Sequence, residues 1–288
     1  MNNFDISDPL FRKAVEAIDN GDVLSLQSIL NENPEIINKR LSSPTNGYFK
    51  NPYLIWFVAD NPIRHEKLPA NIVAVTMVLI EAAKKNAADS YQGQIDYTLG
   101  LVATGRIPRE SGVQNEWIDL LIDNGANPGN GIGALAHGNA DAAKHLIKRG
   151  GNLTLATAIG LDMADEAYLL AKNATKTDRE ISLMMAAFYG KAKWISYLVT
   201  LGVNVNAYLD HSSGFHSHAS ALHQAVFSTS LESVKILVDA GADLKSKDLI
   251  YEGTPLDWAI YMQKVEPQKM KKQKYKEIEK NLLQKIRS

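Results

Sequence analysis

Apolar residues recur along this chain in short bursts at helical spacing, and several bursts are closed by glycine. Leu120-Leu121-Ile122-Asp123-Asn124-Gly125-Ala126-Asn127 returns as Leu198-Val199-Thr200-Leu201-Gly202-Val203-Asn204 and as Ile236-Leu237-Val238-Asp239-Ala240-Gly241-Ala242-Asp243. A shorter version is Leu146-Ile147-Lys148-Arg149-Gly150-Gly151-Asn152. Each predicts the end of an amphipathic helix, because glycine takes the left-handed backbone at little steric cost. The Asn or Asp two residues later suits the turn that follows. A second phrase precedes these ends. Ser220-Ala221-Leu222-His223-Gln224-Ala225-Val226 and Thr254-Pro255-Leu256-Asp257-Trp258-Ala259-Ile260 predict short helices, with a hydroxyl cap, proline in the first turn and Leu with small residues facing inward. Ala186-Ala187-Phe188-Tyr189-Gly190 closes a similar helix.

The unit that emerges is a short helix, a turn, a second helix, a glycine stop and an extended loop. It resembles the ankyrin repeat, whose hallmarks are Thr-Pro-Leu-His and Gly-Ala-Asp. The resemblance is strongest from Glu180 to Ile260. Gly214 to Val226 and Lys247 to Ala259 also look like phrases of one group of bacterial ankyrin-repeat proteins. That resemblance implies an all-α, ankyrin-type α-solenoid of about seven to eight helix-turn-helix repeats with short finger loops, non-catalytic and cytoplasmic. Three departures stand out: Ser220-Ala221 replaces Thr-Pro, Asp257 replaces the motif histidine, and Thr229 stands where a turn glycine is usual.

The whole chain, 1–288, is expected to form one repeat domain. Residues 1–41 would be its N-terminal capping repeat, 42–247 its central repeats, some atypical, and 248–288 its C-terminal cap with a basic helix. Pro9 opens the first helix and Gly21 separates it from Val23–Leu30. Asn46-Gly47 marks a tight turn in the first finger. Pro62 and Pro69 mark a long connection, and a loop is expected around Ile107-Pro108. The glycines of Gly129-Asn130-Gly131-Ile132-Gly133-Ala134 formally fit a dinucleotide fingerprint, but that motif needs a preceding strand and Trp117 to Asn124 reads as helix. They are expected to shorten a finger loop instead.

Composition changes the picture little. With no cysteine, disulfides and thiolate metal sites are excluded. A net charge of −1 gives the chain as a whole no nucleic-acid signature. The segment from Gln263 to Ser288 carries nine Lys or Arg and three Glu, and its Tyr275, Ile278, Leu282 and Ile286 fall at helical spacing. This predicts a capping helix that docks one face and solvates the other. No apolar stretch is long enough for a membrane span, and the N-terminus lacks a signal-peptide pattern, so a cytoplasmic monomer is expected.

Two functional readings follow. The first is a scaffold that binds another protein through its concave face and finger loops, with no catalytic residue and no cofactor. Alignment to the motif puts Trp56, Met185, Gln224 and Trp258 at groove positions, with Glu16 in the first repeat; for Trp56 and Trp258, packing between repeats as core is the competing expectation. The fingers add Tyr48, Phe49, Tyr208, Phe215, His216 and Tyr251. Aromatic residues and Met are enriched at interfaces. The alternative is a metal-binding protein or metal-dependent enzyme built on the histidine-rich finger 210–223. There His211, His216 and His218, with Asp210 beside them, have ligand chemistry. His223 instead occupies the motif position that ties neighbouring turns by hydrogen bonds.

Overall fold

The computed structural model describes residues 6–42, 49–59 and 66–287. Among these residues it holds sixteen α-helices, three short 3-10 helices and no strand beyond one isolated bridge between Arg40 and Tyr53. The chain divides into two compact units, Met1–Asn152 and Leu153–Ser288.

The first unit contains α1 (Pro9–Asn20), α2 (Val23–Glu32), α3 (Ile72–Asn86), α4 (Ala88–Thr104), α5 (Arg106–Glu110), α6 (Gln114–Asp123), α7 (Ile132–Ala136) and α8 (Ala140–Lys148), with 3-10 helices at Pro34–Asn38 and Leu54–Val58. Its elements stack in two rows. One row is α1, the Leu54–Val58 helix, α4 and α7; the other is α2, α3, α6 and α8. Each member of a row packs on the next, so four helix pairs share one continuous core. Phe11, Ile18, Phe57, Leu79, Trp117 and Leu121 fill it, each wholly or nearly wholly buried. Full burial of such a side chain contributes about 1.5–3 kcal/mol. No pair could secure that burial alone.

The second unit repeats the scheme with α9 (Leu155–Gly160), α10 (Ala164–Ala171), α11 (Lys176–Phe188), α12 (Ala192–Thr200), α13 (Ala221–Phe227), α14 (Leu231–Asp239), α15 (Pro255–Val265) and α16 (Lys269–Arg287). The first helices α9, α11, α13 and α15 form one row, and α12, α14 and α16 pack in succession behind it.

Local chemistry explains the regularity. The first helices α11, α13 and α15 all open with a capping box: Thr175 with Asp178, Ser220 with His223, and Thr254 with Asp257. The hydroxyl satisfies a free backbone N–H at the third helical position, and that position's side chain answers the cap's own N–H. Asp257 thus replaces the motif histidine without losing the cap. Between first and second helices one residue is left-handed in five pairs: Gly21, Gly138, Asp162, Gly190 and Thr229, with φ between 60° and 67°. Glycine fits that turn for a steric reason. A Cβ at Gly190 would lie 3.0 Å from Ser230 Cβ. The stops after α6, α8, α12 and α14 fall at Gly125, Gly150, Gly202 and Gly241, as expected from the recurring phrase.

Two expectations need correction. The region around Ile107-Pro108 is not a loop but the short helix α5, in which both residues are buried. On α16, Tyr275, Ile278 and Leu282 are buried as expected, whereas Ile286 in the final turn is exposed. The Tyr275 hydroxyl donates to Phe227 O at 3.0 Å, tying this basic helix to the end of α13. The glycine run behaves as a finger shortener: Gly129 and Gly131 are left-handed, and Asn152 N–H donates to Gly129 O at 2.7 Å. The Asn46-Gly47 turn and Pro62 lie outside the described residues.

Candidate protein-binding surface

In the second unit the extended segments between repeats form finger turns, and the last is the most elaborate. Asp248 is buried there and organises the turn. Its Oδ1 accepts the N–H groups of Ile250 at 3.0 Å and Tyr251 at 2.7 Å. Its Oδ2 accepts Gly253 N–H at 2.9 Å and the Trp258 indole N–H at 3.0 Å. Burial works to raise the carboxyl pKa, but these donors outweigh it and pull the pKa down to about 2. The turn is also clamped from outside, since Leu249 N–H donates to His218 O at 2.7 Å.

His223 supplies the other tie. Its ring is buried, and Nε2 lies 2.9 Å from Gly253 O. Nδ1 lies 3.3 Å from the Ser220 backbone nitrogen and 2.7 Å from Ser220 Oγ. A carbonyl only accepts, so Nε2 carries the proton and Nδ1 accepts from Ser220. Burial pushes the His223 pKa down, which keeps the ring neutral. The motif histidine therefore joins α13 to the following finger, as its position predicts.

With the turn held this way, its tip faces solvent. Leu249, Ile250 and Tyr251 are 67%, 60% and 79% exposed. Beside them lies a cleft of about 480 Å³ walled by Phe227, Tyr251, Asp257, Trp258, Tyr261 and Met262. Trp258 is fixed in this wall by its bond to Asp248 and by the His223 ring, 5.0 Å away edge-to-face. Further aromatic contacts continue from the cleft. Phe227 stacks on Phe188 with ring centres 5.6 Å apart, and Phe188 also meets Phe215 at 5.6 Å and His216 at 4.9 Å. His216 contacts His218, which leans on Trp258 at 6.2 Å.

The other expected site residues divide by burial. Tyr208 is partly exposed, with its hydroxyl donating to Lys247 O at 2.7 Å. His216 is half-buried within the aromatic row, and Glu16 is exposed on α1. Met185 and Gln224 are corrected from groove to interior positions: the first helices of successive repeats pack directly on one another and enclose both side chains. Phe215 is buried under the row it belongs to. In the first unit Trp56 is also interior, with Nε1–H donating to Gln94 O at 3.2 Å and its ring 4.1 Å from Tyr97. Phe49 is buried against Phe57 at 5.1 Å. Tyr48 lies outside the described residues.

The histidine finger does not converge on a metal. His211 Nδ1 lies 2.8 Å from Ser217 Oγ, while His216 and His218 turn to the aromatic row. Asp210 caps the 3-10 turn His211–Ser213, accepting Ser212 N–H at 2.8 Å. Among the described residues no group of three or more His, Asp or Glu side chains is placed to hold a metal ion. Asp165 and Glu166 lie in the first turn of α10, and Asp162 pairs with Lys191. Acidic side chains in a first turn favour the helix dipole, which gives these carboxylates a structural role.

Sequence reasoning missed four participants: Phe227, Tyr261, Met262 and Asp248. Two of them carried a signal, because Tyr261 and Met262 follow Trp258 at three and four residues on α15, one helix face; Phe227, on α13, carried none. Asp248, five residues before Gly253, carried only a weak turn signal.

Residues 111–248 match the model of a family described as Ankyrin repeats (3 copies). Comparison with curated proteins found no match. Among solved structures, the human ASB11 ankyrin repeat domain is 16% identical, with a TM-score of 0.34, over 94% of this chain and 97% of that one. The ankyrin repeat domain of Bcl-3, a member of the IkappaB protein family, is 21% identical, with a TM-score of 0.32, over 65% of this chain and 88% of that one. The family match and the stacked helix pairs together make the fold class all-α and ankyrin-type. Among the described residues no helix is long and apolar enough to cross a membrane.

Proposed function

We propose that this chain is a non-catalytic scaffold that holds another protein through the finger turns of its second unit. One observation carries the reading. Three consecutive large apolar residues, Leu249 to Tyr251, stand exposed on a turn that a buried carboxylate holds rigid. Exposing such a run costs solubility and invites aggregation, so it is expected only where the surface has a use. Rigid presentation lowers the entropy cost of binding. The aromatic cleft beside the tip supplies the side-chain types that dominate interface energetics. A metal-dependent reading of residues 210–223 receives no support, because His211 meets Ser217 while His216 and His218 pack together in the aromatic row.

The test compares capture from native lysate by the natural chain and by Tyr251→Ala and Ile250→Ser variants. Both side chains are exposed, so the urea-unfolding midpoint should not move. A specific protein retained by the natural chain and lost by the variants supports the reading. An identical set of proteins retained by all three chains refutes it.

A further inference from the structure

We propose that the Phe227–Trp258 cleft seats a cationic side chain, lysine or arginine, of the bound partner. This rests on the protein-binding reading above and names the chemistry of the anchor. Four aromatic rings line the cleft, from Phe227, Tyr251, Trp258 and Tyr261, and an aromatic face carries partial negative charge. The one charged side chain in the wall is Asp257; no Lys or Arg lines it. Asp257 Oδ2 is committed to the Thr254 cap, accepting its N–H at 2.9 Å and its hydroxyl at 2.6 Å. Its Oδ1 accepts no hydrogen bond among the described residues.

The wall's other polar groups are either spent or complementary to a cation. Trp258 Nε1–H is given to Asp248, so the indole offers the cleft its ring and not a donor. Gly253 O already accepts from Asp248 N–H at 2.9 Å and from His223 Nε2 at 2.9 Å. Lys247 lies outside the lining, 4.0 Å from Glu252, and its charge also acts on Asp257, helping to lower that carboxyl's pKa without entering the cleft. An aliphatic or anionic anchor would bury Asp257 Oδ1 without a donor or against a like charge, at a desolvation cost. An ammonium or guanidinium group gives that oxygen a donor and lays its charge over the rings, while its methylene stem packs on Met262.

The experiment titrates the full chain with three capped tripeptides, Gly-X-Gly with X as lysine, norleucine or glutamate, and follows the Trp258 indole N–H resonance by NMR. The expected result is a shift with the lysine peptide, at an affinity about five- to tenfold above that of the norleucine peptide, weakening as salt is raised. Glutamate should leave the resonance unmoved. Asp257→Asn and Tyr261→Ala should each remove most of the lysine preference. The second is an exposed residue outside the cap, so its effect cannot come from a weakened helix start. Equal or tighter binding of norleucine overturns the inference, and so does the absence of any shift with lysine. Neither result touches the broader reading, which fails separately if Tyr251→Ala leaves partner capture unchanged.

Discussion

Replacing Asp248 by asparagine should destabilise the last repeat in a pH-dependent way. The asparagine carbonyl can keep the Ile250 and Tyr251 N–H bonds, but its amide nitrogen then faces the donors of Gly253 and Trp258, 2.9 and 3.0 Å from the present oxygen. The carboxyl pKa falls from 3.8 to about 2 on folding, so the ionised group favours the folded state. At neutral pH that difference is worth about 2 kcal/mol. The sign follows from the depressed pKa: the contribution is complete above pH ~4, is about half gone at pH ~3, and vanishes as pH falls through ~2. Asp8, Asp22, Asp119, Asp210 and Asp257 also have lowered pKa values, so the natural chain alone does not isolate the effect. The difference between the natural chain and Asp248→Asn does. Urea unfolding of both, followed through the Trp258 indole resonance at pH 7, 4 and 3, measures it. A gap that shrinks by roughly 1 kcal/mol from pH 7 to pH 3 is expected. A gap that stays constant over that range would refute the assignment of Asp248 as the ionised organiser of the turn.

Two further outcomes follow from the backbone and the core. Thr229 is a β-branched residue at φ 62°, where the corresponding turn of the preceding repeat has Gly190; Thr229→Gly should relieve more strain than it adds in unfolded-chain entropy, raising stability by up to about 1 kcal/mol in urea unfolding. His223→Ala opens a cavity and strips Gly253 O and Ser220 N–H of a partner; a loss of about 2–4 kcal/mol, with faster hydrogen exchange at Gly253, is the expected result.

The helix-pair grammar was legible because it is written in local chemistry. A left-handed turn asks for glycine, and a helix start asks for Ser or Thr with a partner three residues on. Both requirements show in single residues such as Gly241 and Thr254. The site was less legible because exposure is set between repeats. Met185, Gln224 and Trp258 occupy equivalent motif positions, yet the first two are enclosed by neighbouring helices while Trp258 remains partly open beside the final finger. Trp56 takes the core alternative for a related reason: its repeat replaces a regular first helix with the short Leu54–Val58 segment, which packs its indole against α4. The histidines of residues 210–223 are close in sequence, but the 3-10 turn at His211–Ser213 and the left-handed Gly214 separate His211 from His216 and His218, which meet aromatic rings.

On the proposed function, the last finger turn of the second unit is where another protein makes contact. Site-specific photocrosslinking inside the native cell probes this contact, with a photoreactive phenylalanine analogue placed at Ile250 in one chain and at exposed Leu169 on α10 in another. A discrete protein adduct from position 250, absent from position 169 and abolished by Tyr251→Ala, is predicted. Adducts of equal yield from both positions, or none from position 250, would place the partner elsewhere on the protein.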